Sequence, residues 1–245
     1  MARIEERDHE GTAGARARKV IIAGTGRAGT TLLVQILTDL GLDTGFTPDA
    51  PIDERAAAGL ELPAAGANSP RIVKSPHLSR WLAGLLDDGR IDVEHVVIPI
   101  RDLDVAAASR VRMARYGANL HTWGGLFGTT RATRQREALA VIEYELLYTI
   151  ARHDLPHTLL EFPRFAQDWR YAYDKLGFLD PAVPADCWRR AVTARVRPDM
   201  IHEAPLSRRE RWLTVAGTTY HRAIARPVRG ATAMIRGRKP TGGTA

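Results

Sequence analysis

The segment best suited to chemistry is the string Gly24-Thr-Gly-Arg-Ala-Gly-Thr-Thr31, which we call the glycine loop. It follows a short apolar, β-branched run at 19–23 and precedes leucine and isoleucine residues at helical spacing. These patterns predict a buried strand and then a helix. Between such elements, backbone N–H groups and the positive end of the helix dipole attract an anion. The glycine loop is therefore predicted to bind a phosphate group.

A Rossmann dinucleotide loop is one alternative for this segment. Gly24, Gly26 and Gly29 match the G-x-G-x-x-G pattern, and Asp49 follows at the distance of the acidic residue that binds the ribose. In a Rossmann fold that acidic residue ends a second apolar strand, whereas the sequence before Asp49 is broken by Pro48. The match is weak when it is taken alone.

A nucleotidase or kinase P-loop is the second alternative. Gly24 and Gly29 have the spacing of the two Walker glycines, but Thr30 stands where that motif requires a lysine. The γ-phosphate would then lack its usual cationic partner. A P-loop small-molecule kinase stays open as a function, although its motif is incomplete.

A second candidate anion site is formed by Arg101 and Ser109. Arg101 ends a predicted strand, and Ser109 lies about two turns into the helix that follows. An arginine can fork onto phosphate oxygens while a hydroxyl completes the shell. The alternative is that Arg101 pairs with Asp102 or Asp104 and that Ser109 faces solvent.

Together these segments resemble the donor site of sulfotransferases that use 3′-phosphoadenosine 5′-phosphosulfate (PAPS). The resemblance covers roughly residues 19–177. It implies an α/β three-layer sandwich with a central parallel sheet and a P-loop-like phosphate-binding loop. Gly26 stands where the family commonly has proline, and Ala28 stands where serine is common. The implied donor contacts are Gly26, Arg27, Ala28, Gly29, Thr30, Thr31, Arg101 and Ser109.

The resemblance also implies roles for individual residues. Arg27 would contact the leaving oxygen and the sulfuryl group, while Arg101 and Ser109 would bind the 3′-phosphate. Lys74, in Lys74-Ser-Pro-His77, stands where relatives carry a lysine near the sulfuryl group. His77 is the preferred catalytic base because its ordinary pKa lies near neutrality. In other branches of the family the base is a glutamate, which makes Glu61 a close rival, with Glu54 behind it.

The implied reaction moves the sulfuryl group from PAPS to a hydroxyl, or an amine, of a small-molecule or carbohydrate acceptor. The product nucleotide is adenosine 3′,5′-bisphosphate (PAP), and no metal is expected. A flexible loop could close over the acceptor or form a homodimer contact. Its aromatic and polar residues are Tyr116, Asn119, His121, Trp123 and Phe127.

Two further segments match the family loosely. Residues 159–165 resemble a strand end that lies near the adenine in many relatives, although core packing explains them equally well. The basic stretches at 229–230 and 236–239 could close over the nucleotide, and a solvated tail is the alternative.

The elements that must position these residues alternate between strand and helix. Strands are predicted at 19–23, 71–74, 93–100 and 158–162. Helices are predicted at 30–40, 76–86, 104–116, 131–153 and 163–176, and around Trp188 and Trp212. Residues 43–70 are predicted to be irregular. This alternation predicts a parallel α/β sheet.

Composition limits the alternatives further. The 245 residues favour one domain at 19–225, between a disordered leader at 1–18 and a basic tail at 226–245. The net charge of +7 favours a polyanionic partner, including a non-enzymatic polyanion-binding module as an alternative function, but no nucleic-acid module is visible. Cys187 is the only cysteine, and no apolar run reaches the roughly 20 residues that span a bilayer. We expect a cytoplasmic protein that binds neither membrane nor nucleic acid.

Overall fold

A computed structural model describes residues 18–53, 58–66, 68–116, 125–198, 201 and 204–220. The predicted basic tail at 226–245 and all of the predicted leader except Arg18 lie outside these residues. Among the described helices, none is both long and apolar enough to cross a membrane.

The core of the described fold is a sheet of four parallel strands in the order β2-β1-β3-β4. The strands are β1 (Arg18–Ile22), β2 (Ile72–Lys74), β3 (Asp92–Ile100) and β4 (His157–Glu161). Their apolar runs are short and rich in valine and isoleucine, as expected where both faces of a parallel sheet are covered. The predicted parallel α/β fold is confirmed.

Eight α-helices are described, and all but two of them, α5 and α6, follow the predicted segments. Their bounds are α1 (Thr30–Asp39), α2 (Leu78–Asp87), α3 (Leu103–Tyr116), α4 (Gln135–Arg152), α5 (Arg164–Gln167), α6 (Trp169–Leu176), α7 (Ala185–Arg195) and α8 (Arg208–Tyr220). Single 3-10 turns occupy Ala132–Arg134 and Gly177–Leu179.

The predicted continuous helix at 163–176 is wrong. The helix is interrupted at Asp168, whose backbone is extended and whose carboxylate accepts hydrogen bonds from the amides of Arg170 and Tyr171. A carboxylate in this position is a good helix N-cap, so α6 begins anew after α5.

Helices pack on both faces of the sheet. Val20 and Ile22 of β1 join one apolar cluster with α1, α5, α6 and α7, where Trp188 is almost completely buried. Ile21 and Ala23 join a second cluster with α2 and α4 on the other face. The alternation of side chains along β1 thus connects the two helical layers through the sheet.

The strand order places a topological switch point between β1 and β3. After β1 the chain forms β2 on one side of it, and then returns to form β3 on the other. In open α/β sheets, ligands bind in the crevice at the carboxyl ends of the strands that flank such a point. The glycine loop leaves β1 there, and Arg101 leaves β3 there.

Candidate functional site

The glycine loop turns from β1 into α1 through left-handed backbone conformations. Gly26 has φ 66°, Arg27 has φ 60°, and Gly29 occupies the N-cap position of α1 with φ 73°. No side chain caps α1, and its first turn carries no acidic residue. Thr30 and Thr31 are buried there. An uncapped, largely buried helix start leaves amides and a positive dipole available to an anion.

Two of the glycines are needed for space as well as for conformation. A Cβ at Gly29 would lie 2.6 Å from Cδ2 of Phe162, just after β4, and 2.9 Å from Cζ of Phe165 in α5. A Cβ at Gly26 would overlap Nη2 of Arg110. The loop backbone therefore lies directly on an aromatic pair at one point and on a guanidinium at another.

Arg27 connects the glycine loop to the predicted 3′-phosphate pair. Its Nε donates a hydrogen bond to Ser109 Oγ at 3.0 Å. Arg101 Nη1 donates to the backbone carbonyl of Arg27 at 2.9 Å, and the Arg101 guanidinium lies 5.0 Å from the centre of the Phe162 ring. The structure thus brings Arg27, Arg101 and Ser109 together.

The alternative for Ser109, a solvent-facing side chain, is wrong, because this residue is only 3% exposed. The two acidic neighbours of Arg101 have other described partners. Asp102 caps α3 by accepting the amide of Val105 at 3.0 Å, and Asp104 lies 3.0 Å from Nε of Arg136.

The positive charges at this edge of the sheet repel one another. Burial is the main cause that lowers the pKa of Arg27 to about 10, and the nearby charge of Arg101 lowers it further, while Asp53 acts in the opposite direction. Arg27 remains charged at neutral pH. Crowded cations of this kind are stabilised when an anion binds among them.

Lys74, which was predicted to lie near the sulfuryl group, lies beside the start of α1. Its side chain is 3% exposed, and Nζ donates to the carbonyl of Gly59 at 2.7 Å and to Oε1 of Glu61 at 3.0 Å. Nζ also donates to Thr31 Oγ1 at 3.4 Å. Burial lowers the pKa of Lys74, while the Glu61 carboxylate opposes this shift. Lys74 therefore joins Glu61 to the glycine loop.

The two candidate bases occupy different surroundings. His77 is exposed, and its ring stacks on Trp81 with centroids 5.2 Å apart and contacts the edge of Phe127 at 5.3 Å. Glu61 is paired with Lys74 at the loop. Of the two, Glu61 is the one described in contact with a cation at the glycine loop, namely Lys74. Glu54 lies outside the described residues, as do Asn119, His121 and Trp123.

Ala28 and the segment at 159–165 contribute to packing. Ala28 is fully buried in the same apolar cluster as α1. Phe162 is 6% exposed, packs on Phe165 at 5.6 Å, and lies beneath both Gly29 and Arg101. This segment supports the loop from the core side, which favours the packing interpretation for it.

Two residues of the site were missed from the sequence. Arg110, buried at 5% exposure, donates to the carbonyls of Thr25 and Gly125. Glu143 of α4 accepts a hydrogen bond from the amide of Thr25, and its Oε1 is buried without a described partner. Burial raises the pKa of Glu143 to about 7. In the sequence, Arg110 could have been noticed because it is the one charged residue among the small and apolar residues at 105–111.

The described side chains at the site are suited to an anionic ligand. Among the residues that the structure describes, no group of three or more histidine, cysteine, aspartate or glutamate side chains is placed to hold a metal ion. Comparison of the chain with protein-family models, with curated proteins and with solved structures gave no significant match.

Proposed function

We propose that this protein is a PAPS-dependent sulfotransferase whose donor lies across the carboxyl ends of β1 and β3. The observation that supports this most is the contact of Arg27 with both Arg101 and Ser109. A nucleotide with phosphates at its 5′ and 3′ positions needs two neighbouring anion sites. The glycine loop would serve as a P-loop-like site for the 5′-phosphosulfate, and Arg101 with Ser109 would hold the 3′-phosphate.

The reaction needs an acceptor oxygen or nitrogen, a base and cations. The acceptor atom forms a bond to sulfur while the bond between sulfur and the 5′-phosphate oxygen breaks, and PAP leaves with both phosphates. Arg27, which belongs to the glycine loop, and Lys74, which contacts Thr31 of that loop, would neutralise the oxygens around sulfur. A small molecule or a carbohydrate would supply the hydroxyl or amine.

Glu61 is the base that the geometry supports best. A base must lie within hydrogen-bond reach of the acceptor proton, next to the cations that hold the sulfuryl group. Glu61 lies 3.0 Å from Lys74 Nζ, whereas His77 is held in an exposed aromatic group. The acceptor proton would therefore pass to the Glu61 carboxylate, with His77 as the alternative.

Calorimetry with PAP and AMP tests the proposal. PAP is expected to bind at least tenfold more tightly than AMP, because a charge-assisted contact to the 3′-phosphate contributes about 1.5–3 kcal/mol. Arg101→Ala is expected to remove most of this preference. Arg136→Ala, which changes an exposed arginine of α4, is the control. Equal affinities of the unaltered protein for PAP and AMP would reject the proposal.

A small-molecule kinase is the second candidate function, and one contact favours it. Lys74 Nζ lies 3.4 Å from Thr31 Oγ1, so the fold supplies a lysine beside a loop whose own sequence lacks one. A kinase would consume ATP in the presence of magnesium and an alcohol acceptor. Detection of that turnover, together with equal binding of PAP and AMP, would favour the kinase over the sulfotransferase.

A further inference from the structure

Arg110 lies directly behind the glycine loop. Its Nε and Nη2 both donate to the carbonyl of Thr25, at 3.2 and 2.5 Å, and its Nη1 donates to the carbonyl of Gly125 at 2.7 Å. One guanidinium therefore joins the loop to a segment about 100 positions later in the chain. The carbonyl of Thr25 belongs to the peptide that leads into Gly26, so this contact fixes the orientation of the loop backbone.

The guanidinium also packs closely against its surroundings. It lies against Gly26, where any Cβ would overlap Nη2. Its Cζ lies over the Phe127 ring, 4.9 Å from the ring centre. A planar group that is hydrogen-bonded to the backbone and packed on an aromatic face loses little further freedom when a ligand binds, so Arg110 is preorganised.

The charge of Arg110 is not matched by its own hydrogen-bond partners. All its described hydrogen bonds go to carbonyl oxygens. Burial and the charge of Arg27 lower the pKa of Arg110 to about 9, and the charge of Glu61 opposes this shift. By contrast Arg112, two positions later on α3, pairs with the Glu210 carboxylate at 2.9 Å. A buried cation without a bonded carboxylate is costly unless another negative charge approaches it.

We propose that Arg110 is a positioning residue for the anion on the glycine loop and supplies a fixed positive charge behind it. It orients the peptide between Thr25 and Gly26, and its charge reaches the anion through the loop backbone. This inference deepens the proposed function and rests on the glycine loop being the anion site. It does not depend on which nucleotide carries the anion.

The test compares Arg110→Lys and Arg110→Met with Arg112→Met as the matched control. Affinities for PAP and for inorganic pyrophosphate are measured by calorimetry at several salt concentrations. Arg110→Met is expected to lower the affinity for both ligands at least tenfold. It should also reduce the dependence of affinity on salt concentration, because one cation is lost. Arg110→Lys should recover part of the affinity and the full salt dependence, while Arg112→Met should stay within about twofold of the unaltered protein.

Several outcomes would overturn the inference. The first would be that the Arg110→Met protein binds pyrophosphate as tightly as the Arg112→Met protein does. Another is equal losses in Arg110→Lys and Arg110→Met with an unchanged salt dependence, which would leave Arg110 a purely structural role. Should Arg110→Met not fold, Phe127→Leu removes the ring that holds the guanidinium. That variant is expected to bind pyrophosphate three- to tenfold more weakly, and unaltered affinity would refute the inference.

The two proposals fail separately. If PAP and AMP bind equally but the Arg110 variants still lose pyrophosphate affinity, the sulfotransferase proposal falls and the role of Arg110 stands. If PAP is strongly preferred but the Arg110 variants bind it as Arg112→Met does, the role of Arg110 falls and the sulfotransferase proposal stands.

Discussion

Arg27 Nε donates a hydrogen bond to Ser109 Oγ across 3.0 Å, although the two residues lie 82 positions apart in the chain. The contact joins the loop after β1 to the helix after β3. Both side chains are directed to the same point at the edge of the sheet, where Arg101 also contacts the Arg27 backbone. Two separate motifs thus become one cationic site.

The first prediction concerns this contact. Ser109→Ala should weaken PAP binding about 5- to 20-fold, because the hydroxyl that orients Arg27 is lost together with the contact that we propose it makes to the 3′-phosphate. Calorimetry measures the change. Thr149→Ala removes another buried hydroxyl, whose described hydrogen bond goes to the Glu145 carbonyl within α4 at 2.8 Å, and should leave PAP affinity unaltered. Equal effects of both substitutions would argue against a specific role for Ser109.

The second prediction separates binding from turnover at Glu61. Glu61→Gln removes a negative charge 3.0 Å from Lys74 Nζ. We expect it to tighten PAP binding severalfold, since repulsion of the anion is relieved. It should destabilise the free protein by about 1–3 kcal/mol because Lys74 loses the carboxylate charge that it pairs with. If Glu61 is the base, sulfuryl transfer to a screened acceptor should fall at least about 100-fold.

His77→Gln is the matched comparison for Glu61→Gln. It should change PAP affinity and stability little, because the His77 ring is exposed and contacts Trp81 and Phe127. Urea unfolding and calorimetry measure these quantities. A larger loss of turnover in His77→Gln than in Glu61→Gln would reverse the assignment of the base.

The third prediction is a pH dependence of stability from Glu143. Burial raises its folded-state pKa to about 7, above the ordinary value of 4.5. The folded state therefore binds the carboxyl proton of Glu143 more tightly than the unfolded state does. The stability that this adds is fully present below about pH 4.5 and is lost as the pH rises through about 7. The loss amounts to at most about 3 kcal/mol.

Glu143→Gln should abolish this dependence. Urea unfolding at pH 8 should show the variant to be more stable than the unaltered protein by about 2–3 kcal/mol, and at pH 4.5 the two should be nearly equal. Glu145→Gln, which changes a more exposed glutamate in the same helix, is the control. A stability difference for Glu143→Gln that does not vary with pH would contradict the prediction.

The fourth prediction compares two glycines of left-handed conformation. Gly29 has φ 73° and no room for a Cβ, whereas Gly41 has φ 81° and nothing within 4 Å of that position. Gly41→Ala should cost about 1 kcal/mol from backbone strain alone. Gly29→Ala should cost about 2–4 kcal/mol, because the methyl group meets the Phe162 ring as well.

Urea unfolding of the two alanine variants measures the difference. Phe162→Leu introduced into Gly29→Ala should recover part of the loss, since the ring atoms nearest the new methyl group are removed. Equal losses at positions 29 and 41 would mean that the loop moves away from β4 without cost.

Much of the secondary structure followed from local patterns. The runs at 19–23 and 93–100 read as buried parallel strands because valine and isoleucine favour covered sheets, and β1 and β3 occupy nearly these positions. The break at Asp168 was not anticipated, because the apolar period continues across it. Asp168 ends α5 because its backbone is extended, and it starts α6 because its side chain caps that helix. The spacing of apolar residues carries no information about the backbone conformation of a single residue.

The sequence by itself determined the four strands, the glycine loop at a helix start and the choice of Arg27, Lys74, Arg101 and Ser109 as polar candidates. Only the tertiary structure decided that Arg27, Arg101 and Ser109 meet, that Arg110 and Glu143 both contact Thr25, and that Glu61 rather than His77 pairs with Lys74. The physical reason is that strand and helix patterns depend on neighbours along the chain. Charge and hydrogen bonding at a site depend on distances between segments, which the order of strands in the sheet sets.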